Sequence, residues 1–507
     1  MTFQQLLDGA EVLSQSGDPG ITSVEYDSRR VKPGSLFVAM RGESSDGNRF
    51  IDQAIQSGAV AVVTDSSGEK ARNGVAWALV PHGRRALARI SANFYKHPAE
   101  RIAVIGITGT NGKSTTAFIV ESILSAARRK SALIGTIEYR VAGKIIPAPH
   151  TTPESLELNR IFNEALGQGA TDAVMEVSSH ALAQQRVFGI PFDVAVFTNL
   201  TRDHLDYHQT IEEYFAAKRV LFEGCGTDAP RAVVTNADDE YGARLAAFSK
   251  KRSSSMLQYG WSRGDFHAEK ADITPRGTRF DMITPEGKIP IFSPLIGRVN
   301  VYNILAAAAA CYERKCDSAA IAGGIEKLTH VPGRFERVDC GQPFTVVVDY
   351  AHTDDALRNL TALAREFVSR AGAKGRVITV FGCGGDRDRA KRPLMGEAAG
   401  QGSDFAVLTS DNPRSEDPLA IMNDAVVGLQ KTGVRYTTEP DRRKAIALAI
   451  NEARPADIVL LAGKGHEKTH VSREGSQPFD DVAVAREALK SASFDCQTVE
   501  AGESGRA

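Results

Sequence analysis

Apolar residues in the first 98 positions fall into short runs that are separated by polar turns and by segments of helical spacing. The continuous apolar runs at Ser35–Met40 and Ala59–Val63 are typical of buried strands. Apolar residues at Gly83–Asn93 recur at the spacing of a helix face. The pattern therefore predicts a small α/β unit that ends near His97 and Pro98.

A second unit begins at Arg101, where the apolar run RIAVIGIT leads into a glycine-rich turn and then a helical pattern. This order of strand, tight turn and helix is typical of nucleotide-binding α/β domains. The pattern continues to about Leu328, and the segment His330–Arg334 is typical of a linker. Because 507 residues are too many for one core, the sequence predicts about three domains, at 1–98, 99–331 and 332–507.

In the last third, four apolar strand patterns each run into a polar loop: TVVVDYAH, RVITVFGCGGDRDR, FAVLTSDNPR and IVLLAGKGHE. Ligands of open parallel sheets bind beyond the carboxyl ends of the strands, so the four loops are predicted to converge on one crevice. The alternative is four ordinary turns made polar by helix caps, which explains one or two such loops better than four.

Composition is that of an ordinary globular protein, with 42% hydrophobic and 24% charged residues. No apolar run approaches the roughly 20 residues of a membrane-spanning helix, so no membrane span is expected. The first residues lack the basic region and apolar stretch of a secretory signal, which favours a cytoplasmic location. A net charge of -1 gives no global attraction for nucleic acid, and no such partner is expected.

Six cysteines in so long a chain also favour a cytoplasmic protein. They show no paired C-x-x-C spacing, so the sequence predicts neither a zinc site nor a disulfide framework. We expect buried or incidental thiols at Cys225, Cys311, Cys316, Cys340, Cys383 and Cys496.

A glycine-rich turn, Gly109-Thr110-Asn111-Gly112-Lys113-Ser114-Thr115, follows the strand pattern that ends near Thr108. Backbone N–H groups of such a turn can face a phosphate chain, and Lys113 supplies a positive charge for the terminal phosphates. Ser114 or Thr115 would offer a hydroxyl to Mg²⁺. The first position of the general pattern G-x-x-x-x-G-K-[ST] falls on Ile107 rather than on glycine. A purely structural turn is the alternative, but the succession of strand, turn, Lys-Ser and helix favours phosphate binding.

Two further strand patterns end in groups that suit Mg²⁺. Glu176 lies near the end of TDAVMEVSSH, and Asp203 and His204 follow VAVFTNL. A lone carboxylate or imidazole is more often a surface or capping residue. Lys218 lies in the amphipathic stretch YFAAKRVLF, where the pattern alone favours a solvated lysine on a helix face.

The segment GTNGKST is similar to the ATP loop of the Mur ligase family, and the similarity runs from DSRRVKPGSLFVA to LAGKGHE. The resemblance implies three α/β domains: one for a nucleotide-sugar substrate, a P-loop-like central domain for ATP, and a Rossmann-like C-terminal domain for an amino acid. It implies that ATP and Mg²⁺ are used to form an acyl phosphate, which an amine then attacks with loss of phosphate. A monomer is expected.

The resemblance also assigns roles to residues of the ATP site. Lys113, Lys218, His204 and Glu176 would be catalytic, and Ser114, Glu176, His204 and Lys218 would bind magnesium. Lys218 matches the lysine that the family carbamylates, which would turn a cation into a carboxylate-like ligand. Asp354 stands where the family commonly has proline. The ATP contacts would be Gly109, Thr110, Asn111, Gly112, Lys113, Ser114, Thr115, Asn300, Asn303, Arg334, Asp349 and His352.

By the same resemblance, the nucleotide-sugar substrate is UDP-MurNAc-L-Ala-D-Glu. Ser28 would contact its uridine end, while Asn48 stands where relatives often carry histidine and receives no role. Hydroxyl, amide and guanidinium groups suit such a carboxylated sugar-peptide. The residues that would bind it are Ser28, Thr151, Thr152, Ser178, Gln184 and Arg186.

The segment Asp411-Asn412-Pro413-Arg414 resembles the signature of family members that add meso-diaminopimelate. Arg414 would pair with the distal carboxylate of that amino acid, which lysine lacks. An arginine left unpaired in a closed site costs on the order of 2–5 kcal/mol. Arg387, Gly463 and Glu467 would complete the pocket with Asp411 and Asn412, and Glu467 would receive the distal ammonium.

Three alternatives stay open at this point. A lysine-adding ligase has the same chemistry but no need for Arg414. A folylpolyglutamate-type synthetase shares the ATP loop, although DNPR and the segment Thr151-Thr152-Pro153 disfavour it. A nucleotide-binding switch or scaffold would hydrolyse ATP without forming an amide.

Overall fold

The computed structural model describes residues 1–42, 45–141, 143–274, 276–370, 375–494 and 496. Three sheets of five, eleven and six strands follow one another along the chain, and a two-stranded hairpin lies near the C-terminal end. Helices flank each of the three sheets, so the three-domain α/β organisation predicted from the sequence is confirmed. The end of the third predicted domain, 497–507, lies outside the described residues.

The first sheet is built where the sequence predicts strands. Its strands are Ser14–Ser16 (β1), Ser23–Glu25 (β2), Ser35–Ala39 (β3), Ala59–Thr64 (β4) and Ala76–Leu79 (β5). Its helices are Phe3–Leu6 (α1), Ile51–Gln56 (α2) and Gly83–Phe94 (α3). The strand order is β1-β5-β4-β3-β2, and all five residues of β3 are buried. Burial of both faces explains why β3 and β4 are continuous apolar runs rather than alternating patterns.

The second sheet contains the strand before the glycine-rich turn. Its strands are Ala103–Thr108 (β6), Ser131–Ile134 (β7), Glu138–Val141 (β8), Lys144–Pro147 (β9), Asp172–Glu176 (β10), Val194–Phe197 (β11), Ala232–Asn236 (β12), Ser255–Gly260 (β13), Phe266–Thr274 (β14), Gly277–Thr284 (β15) and Gly287–Ser293 (β16). In the strand order β16-β15-β14-β13-β12-β11-β6-β10-β7-β8-β9, the central β6 is parallel to β10 and β11. The segments that follow Thr108, Glu176 and Phe197 therefore meet at one edge of the sheet.

Eight helices of the described residues belong to this second unit. They are Lys113–Ala126 (α4), Ser155–Gly167 (α5), Ser179–Ala183 (α6), Leu205–His208 (α7), Ile211–Glu223 (α8), Glu240–Ser249 (α9), Arg298–Glu313 (α10) and Ser318–Lys327 (α11). The five alanines at 306–310 in α10 are fully buried, and α10 packs with α4 in one core. Small side chains allow the two helices to approach closely, which brings the N-terminal turn of α10 to the start of α4. None of the described helices is both long and apolar enough for a bilayer crossing.

The third sheet has five parallel strands and one antiparallel edge strand. The strands of this unit and its hairpin are Glu336–Val338 (β17), Thr345–Asp349 (β18), Val377–Phe381 (β19), Phe405–Thr409 (β20), Arg435–Glu439 (β21), Ile458–Ala462 (β22), Thr469–Ser472 (β23) and Gly475–Pro478 (β24). Its helices are Asp354–Arg370 (α12), Lys391–Gly402 (α13), Pro418–Thr432 (α14), Arg442–Glu452 (α15) and Asp481–Ser491 (α16). The order β17-β18-β22-β19-β20-β21 makes the four predicted strands neighbours, and they are all parallel.

A disulfide between Cys340 and Cys496 corrects the expectation that no cysteine is paired. The two residues are 156 positions apart, so no local spacing could reveal the pair. Packing of α16 against the β17–β18 edge brings them together, and the rings of Phe344 and Phe494 lie 5.7 Å apart beside them. The buried free thiols expected at the other positions are confirmed for Cys225, Cys311, Cys316 and Cys383.

Candidate active site

The glycine-rich turn lies between the end of β6 and the start of α4, as the sequence predicts. Gly109 has a φ of 147°, and a Cβ atom there would lie 1.9 Å from Thr198 Oγ1. Gly112 has a φ of 86°, and its Cβ atom would lie 2.4 Å from Asn303 Oδ1. Both positions require glycine, because neither the backbone conformation nor the space admits a side chain. The free N–H groups at the start of α4 make this turn suitable for an anion.

Two lysine side chains converge on one carbonyl of this turn. Lys113 Nζ donates to Gly109 O at 3.0 Å and to Thr110 O at 2.9 Å. Lys218 Nζ donates to the same Gly109 O at 2.8 Å. Burial lowers the pKa of Lys113, although Glu176 raises it in part. Two buried lysine amines therefore border the turn, at the place where a phosphate chain would meet them.

Lys218 is buried, with 1% of its surface exposed, so the solvated lysine favoured by the residue pattern alone is wrong. Its ammonium lies 4.4 Å from the centre of the Tyr214 ring. Among the described residues it forms no ion pair with a carboxylate. Burial, together with the charge of Lys113, holds the pKa of Lys218 well below its usual range. A neutral amine is the form of lysine that can react as a nucleophile.

Glu176 lies at the end of β10 and faces the first turn of α4. Its Oε2 accepts from Ser114 Oγ at 3.0 Å and from Thr136 Oγ1 at 3.0 Å, and its Oε1 accepts from Thr136 N at 2.8 Å. Arg334 Nη2, from the third domain, donates to Ser114 Oγ at 3.2 Å. The Ser114 hydroxyl and the Glu176 carboxylate lie next to each other, and both are oxygen ligands of the kind that Mg²⁺ prefers. Thr136 is a part of this site that the sequence did not reveal.

His204 lies in a separate cluster. Its Nε2 is 3.4 Å from Asp203 Oδ2, and its ring is 4.8 Å from that of His180. Burial lowers the pKa of His204 to about 3, so the imidazole is neutral and can be a ligand. No hydrogen bond joins it to Glu176, and the described residues contain no group of three or more His, Cys, Asp or Glu side chains placed to hold a metal ion. A joint site of Glu176, His204 and carbamylated Lys218 stays a prediction.

A cavity of about 350 Å³ lies between the second and third domains, beside the glycine-rich turn. Leu360 and Leu363 of α12 form an apolar part of its wall, and Asp238 accepts from Tyr302 OH at 2.9 Å. Sequence patterns do not mark these four residues. Nine of the predicted ATP contacts line the cavity: Asn111, Gly112, Ser114, Thr115, Asn300, Asn303, Arg334, Asp349 and His352.

A smaller cavity of about 150 Å³ lies beyond the carboxyl ends of β18, β19, β20 and β22. Each of the four polar loops contributes to its wall, which confirms that they share one crevice. All six residues predicted to bind the amino acid line it: Arg387, Asp411, Asn412, Arg414, Gly463 and Glu467. Asp203 and His204 of the second domain close its other side.

Two arginines give this cavity positive charge that is not neutralised locally. Arg414 Nη1 donates to Gly385 O at 2.7 Å, and Arg387 Nη1 donates to Asp386 O at 2.9 Å. Among the described residues, neither guanidinium forms an ion pair with a carboxylate. Burial and repulsion from Arg387 lower the pKa of Arg414. The pair is therefore suited to an anionic ligand group.

A buried lysine that the sequence did not reveal fixes the opposite wall. Lys464 Nζ donates to Asn412 Oδ1 at 2.8 Å and lies 3.4 Å from Asp411 Oδ1 and 3.7 Å from Glu467 Oε2. Asn412 Nδ2 in turn donates to Glu467 Oε2 at 2.7 Å. Burial and the charge of Asp411 raise the pKa of Glu467. The only sequence signal for Lys464 was its place in GKGHE, directly after a strand.

The two cavities meet at Tyr350 and His352, which line both. His352 Nε2 lies 3.8 Å from Asp203 Oδ2, and Lys391 Nζ lies 3.7 Å from Asp203 Oδ1. Burial would raise the pKa of Asp203, but His352, His204 and Lys391 outweigh it and hold the pKa well below the usual range. Asp203 is thus an ionised carboxylate from the second domain that holds groups of the third.

Most residues predicted to bind the nucleotide-sugar peptide lie between Glu176 and the first domain. Thr151 Oγ1 is 3.1 Å from Thr136 Oγ1, and Thr152 Oγ1 donates to Glu176 O at 2.8 Å and accepts from Ser178 N at 3.1 Å. Thr152 therefore contacts the Glu176 backbone, and Thr151 reaches the Glu176 carboxylate through Thr136.

Gln184, Arg186 and Ser28 continue this region towards the first domain. Arg186 donates to Thr152 O at 3.0 Å and to Gln184 Oε1 at 2.7 Å. Ser28 lines a cavity of about 620 Å³, and Gln184 lines another of about 310 Å³. Arg84, which the sequence did not reveal, borders both cavities. The predicted residues thus mark a path between the two domains.

Three segments of the chain match domains of one family. The family's catalytic domain matches residues 20–95, its middle domain matches residues 107–311, and its glutamate ligase domain matches residues 333–465. The chain belongs to the Mur ligase family. Its fold and the order of its domains are those of a Mur ligase.

Several Mur ligases are similar to the chain over nearly its full length. It is 54% identical to the UDP-N-acetylmuramoyl-L-alanyl-D-glutamate–2,6-diaminopimelate ligase of Solibacter usitatus, over 93% of this chain and 94% of that protein. It is 46% identical to the ligase of the same name from Geobacillus thermodenitrificans, over 94% and 96%. A solved structure of a ligase of this name has a TM-score of 0.67 and 32% identity, and it covers 97% of this chain and 99% of that one.

Mur ligases are ATP-dependent enzymes that form amide bonds, and the chain is an enzyme of this type. The alternative of a nucleotide-binding switch or scaffold is therefore wrong.

Proposed function

We propose that the chain works in the cytoplasm, where it adds meso-diaminopimelate to the D-glutamate γ-carboxylate of UDP-MurNAc-L-Ala-D-Glu during synthesis of peptidoglycan precursors. The observation that carries this proposal is the charge pattern of the small cavity. Arg387 and Arg414, which have no carboxylate partner among the described residues, line one cavity of about 150 Å³ together with the Glu467 carboxylate. An amino acid with a carboxylate and an ammonium at its distal end complements that pattern.

Diaminopimelate binding is assigned to the two walls of this cavity. Arg414 and Arg387 bind the distal carboxylate, and Glu467 receives the distal ammonium. Asn412 cannot turn away from Glu467, because its oxygen accepts from Lys464 and from Val471 N at 3.0 Å. Lysine would leave the arginines unpaired, at a cost on the order of 2–5 kcal/mol. This difference favours diaminopimelate over the lysine-adding alternative.

Activation of the substrate carboxylate is assigned to the glycine-rich turn. The turn and Lys113 hold the phosphates of ATP so that the γ-phosphorus lies in line with a carboxylate oxygen of D-glutamate. The carboxylate oxygen forms a bond to phosphorus, and ADP leaves. Magnesium, held by Ser114 and Glu176, would neutralise the negative charge that these reactants bring together.

The amide bond forms when the amine of diaminopimelate attacks the acyl phosphate. The amine nitrogen forms a bond to the acyl carbon and gives up a proton to solvent, and the phosphate leaves with the electron pair of the broken C–O bond. Asp203, His204 and His352 line the junction through which the amine must approach, because His352 borders both cavities. The small size of this junction positions the amine and limits access of water, which would otherwise hydrolyse the acyl phosphate.

The substrate's peptide end is assigned to the hydroxyl groups beside Glu176. Thr151, Thr152 and Ser178 lie next to the proposed magnesium position, while Gln184 and Arg186 lead towards the first domain. The cavity that contains Ser28 is large enough, at about 620 Å³, for the uridine end. This arrangement would bring the D-glutamate carboxylate to Ser114 and Lys113.

Phosphate release tests the proposed reaction. We expect release to require ATP, the UDP-linked dipeptide and diaminopimelate together, because the acyl phosphate is formed on one substrate and consumed by the other. The control omits each substrate in turn. Release with ATP alone at the rate of the complete mixture would contradict a ligase reaction on these substrates.

A further inference from the structure

The C-terminal turn of α10, at the end of this helix that lies away from the ATP site, carries two free thiols, Cys311 and Cys316. Cys316 N donates to Cys311 O at 3.0 Å, and Lys315 N donates to Tyr312 O at 2.8 Å. Lys315 has a φ of 60°. These bonds and the left-handed residue form a Schellman motif, which packs the side chain before the helix end against the side chain after it. Here the two side chains are Cys311 and Cys316, and Cys311 Sγ also donates to Val120 O at 3.9 Å.

Positive charge lies beside the outer thiol of the pair. Arg129 Nη1 donates to Arg314 O at 2.7 Å, and its Nη2 lies 2.7 Å from Asp172 Oδ2. Arg314 Nε lies 2.9 Å from Asp172 Oδ1. The neighbouring Cys311 thiol lowers the pKa of Cys316, and Arg129 lowers it further, while burial opposes both. Cys311 keeps its proton because burial and its neighbour raise its pKa.

The other two free thiols among the described residues, Cys225 and Cys383, have no second thiol beside them. Burial raises the pKa of Cys225 to about 11 and that of Cys383 to about 12. Cys316 is 7% exposed, whereas Cys311 is fully buried behind it. The pair therefore has one thiol at the margin of the core and a second, fully buried thiol next to it in the Schellman motif.

We propose that Cys311 and Cys316 are a reversible oxidation site, which closes into an intramolecular disulfide when the enzyme meets a hydroperoxide. The Cys316 thiolate attacks the peroxide, an S–O bond forms and the O–O bond breaks. The leaving hydroxide or alkoxide takes up a proton. Cys311 sulfur then attacks Cys316 sulfur, so that an S–S bond forms, the S–O bond breaks and the Cys311 proton leaves with water. Two thiols are oxidised and one peroxide is reduced.

Peptide mapping of the whole enzyme tests this site. Trypsin cleaves after Arg298, Arg314 and Lys315, so the disulfide would link peptides 299–314 and 316–327. The enzyme is reduced, treated with hydrogen peroxide, alkylated with iodoacetamide and digested without reduction. We expect the linked peptide pair, and we expect dithiothreitol to remove it. The disulfide of Cys340 and Cys496, mapped in a parallel sample of enzyme that was not reduced beforehand, serves as the reference for an intact disulfide.

Two variants and one labelling rate complete the test. Cys316→Ser should abolish the linked pair, whereas the matched variant Cys225→Ser, which removes another buried thiol, should leave it unchanged. In the reduced wild-type enzyme, iodoacetamide should label Cys316 about tenfold or more faster than Cys225, because the thiolate is the reacting form. The proposal is overturned if peroxide yields only sulfinic acid at Cys316, if no linked pair forms, or if Cys225 is labelled as fast as Cys316.

Discussion

The cavity beside the glycine-rich turn and the cavity at the carboxyl ends of the third sheet share a wall, but they differ in the way they can select a ligand. The first is larger, about 350 Å³, and combines amides and hydroxyls with leucine side chains such as Leu360. The second is about 150 Å³ and places Arg414 and Arg387 opposite Glu467. In a large cavity with many neutral contacts, the binding energy is distributed over many side chains. In a small charged cavity, most of it comes from a few ion pairs between the ligand and the protein. Discrimination between amino acids is therefore expected to depend on single side chains.

The largest expected effect comes from Lys113, which we propose neutralises the phosphates of ATP. We expect Lys113→Ala to lower kcat about 1,000-fold, because a charge preorganised for the transition state is lost. Steady-state rates with saturating diaminopimelate measure the effect. Lys250→Ala, which removes an exposed lysine after α9, is the control and should be neutral. A wild-type rate for Lys113→Ala would show that the ATP phosphates are held elsewhere.

Lys218 is a second test of the cavity beside the glycine-rich turn, because its buried amine has no carboxylate partner among the described residues. We expect carbamylation of Lys218, and intact-protein mass spectrometry under non-acidic conditions should show the added carbamate. Lys218→Ala should lower kcat about 100-fold, since a ligand that supports phosphoryl transfer is lost. Partial rescue by added short-chain carboxylic acids would distinguish this role from a structural one. A free ammonium in the active, magnesium-loaded enzyme contradicts carbamylation.

Arg414 tests the charged cavity directly. We expect Arg414→Ala to reduce the ratio of kcat/KM for meso-diaminopimelate to kcat/KM for lysine by about 100-fold. The matched control is Arg389→Ala in the same predicted loop as Arg387, because Arg389 is exposed and pairs with Asp424 at 3.5 Å. An unchanged ratio in Arg414→Ala would mean that specificity does not rest on the distal carboxylate.

The raised pKa of Glu467 gives the charged cavity a pH dependence. A carboxyl whose pKa is raised takes up its proton above the usual value of 4.5, so the negative charge that attracts the distal ammonium is lost as pH falls through that raised pKa. We expect kcat/KM for diaminopimelate to fall about tenfold on this acid side, with the apparent pKa above 4.5. Glu467→Gln should have a low kcat/KM that no longer follows this titration. A wild-type profile that is flat down to pH 4.5 would contradict the role of Glu467.

The smallest expected effect is at the rim between the two domains. Arg202 Nη2 lies 3.3 Å from Asp388 Oδ2, but the Arg202 side chain is 44% exposed. Exposed ion pairs contribute about 0–1 kcal/mol, so Arg202→Ala should change KM for either substrate by less than about fivefold. A loss of more than about tenfold would show that closure of the domains depends on this pair rather than on the buried Asp203.

The crevice that we propose binds the amino acid was the easiest part of the enzyme to predict from the sequence. Parallel strands end at a common edge, so the loops after β18, β19, β20 and β22 had to share a crevice. The glycine-rich turn was equally visible, because Gly109 and Gly112 occupy positions that admit no side chain. In both regions, the signal and the structure are local to one loop.

Features that depend on distant partners were not visible in the pattern. Lys218 reads as a surface lysine on its own helix, but its nitrogen bonds Gly109 O across 109 positions. Lys464 donates a hydrogen bond to Asn412, which lies on another loop, and Cys340 forms its disulfide with the distant Cys496. The hydrogen bond from Thr136 to Glu176 likewise joins residues 40 positions apart. Tertiary contacts, rather than local spacing, determine each of these arrangements.

The mass of the product tests the central claim most directly. The purified enzyme is incubated with ATP, Mg²⁺, UDP-MurNAc-L-Ala-D-Glu and either meso-diaminopimelate or lysine. We expect a UDP-linked tripeptide that contains diaminopimelate, with ADP and phosphate in equal amounts and much less product from lysine. Absence of any tripeptide with diaminopimelate, or equal yields from the two amino acids, would contradict the proposed function.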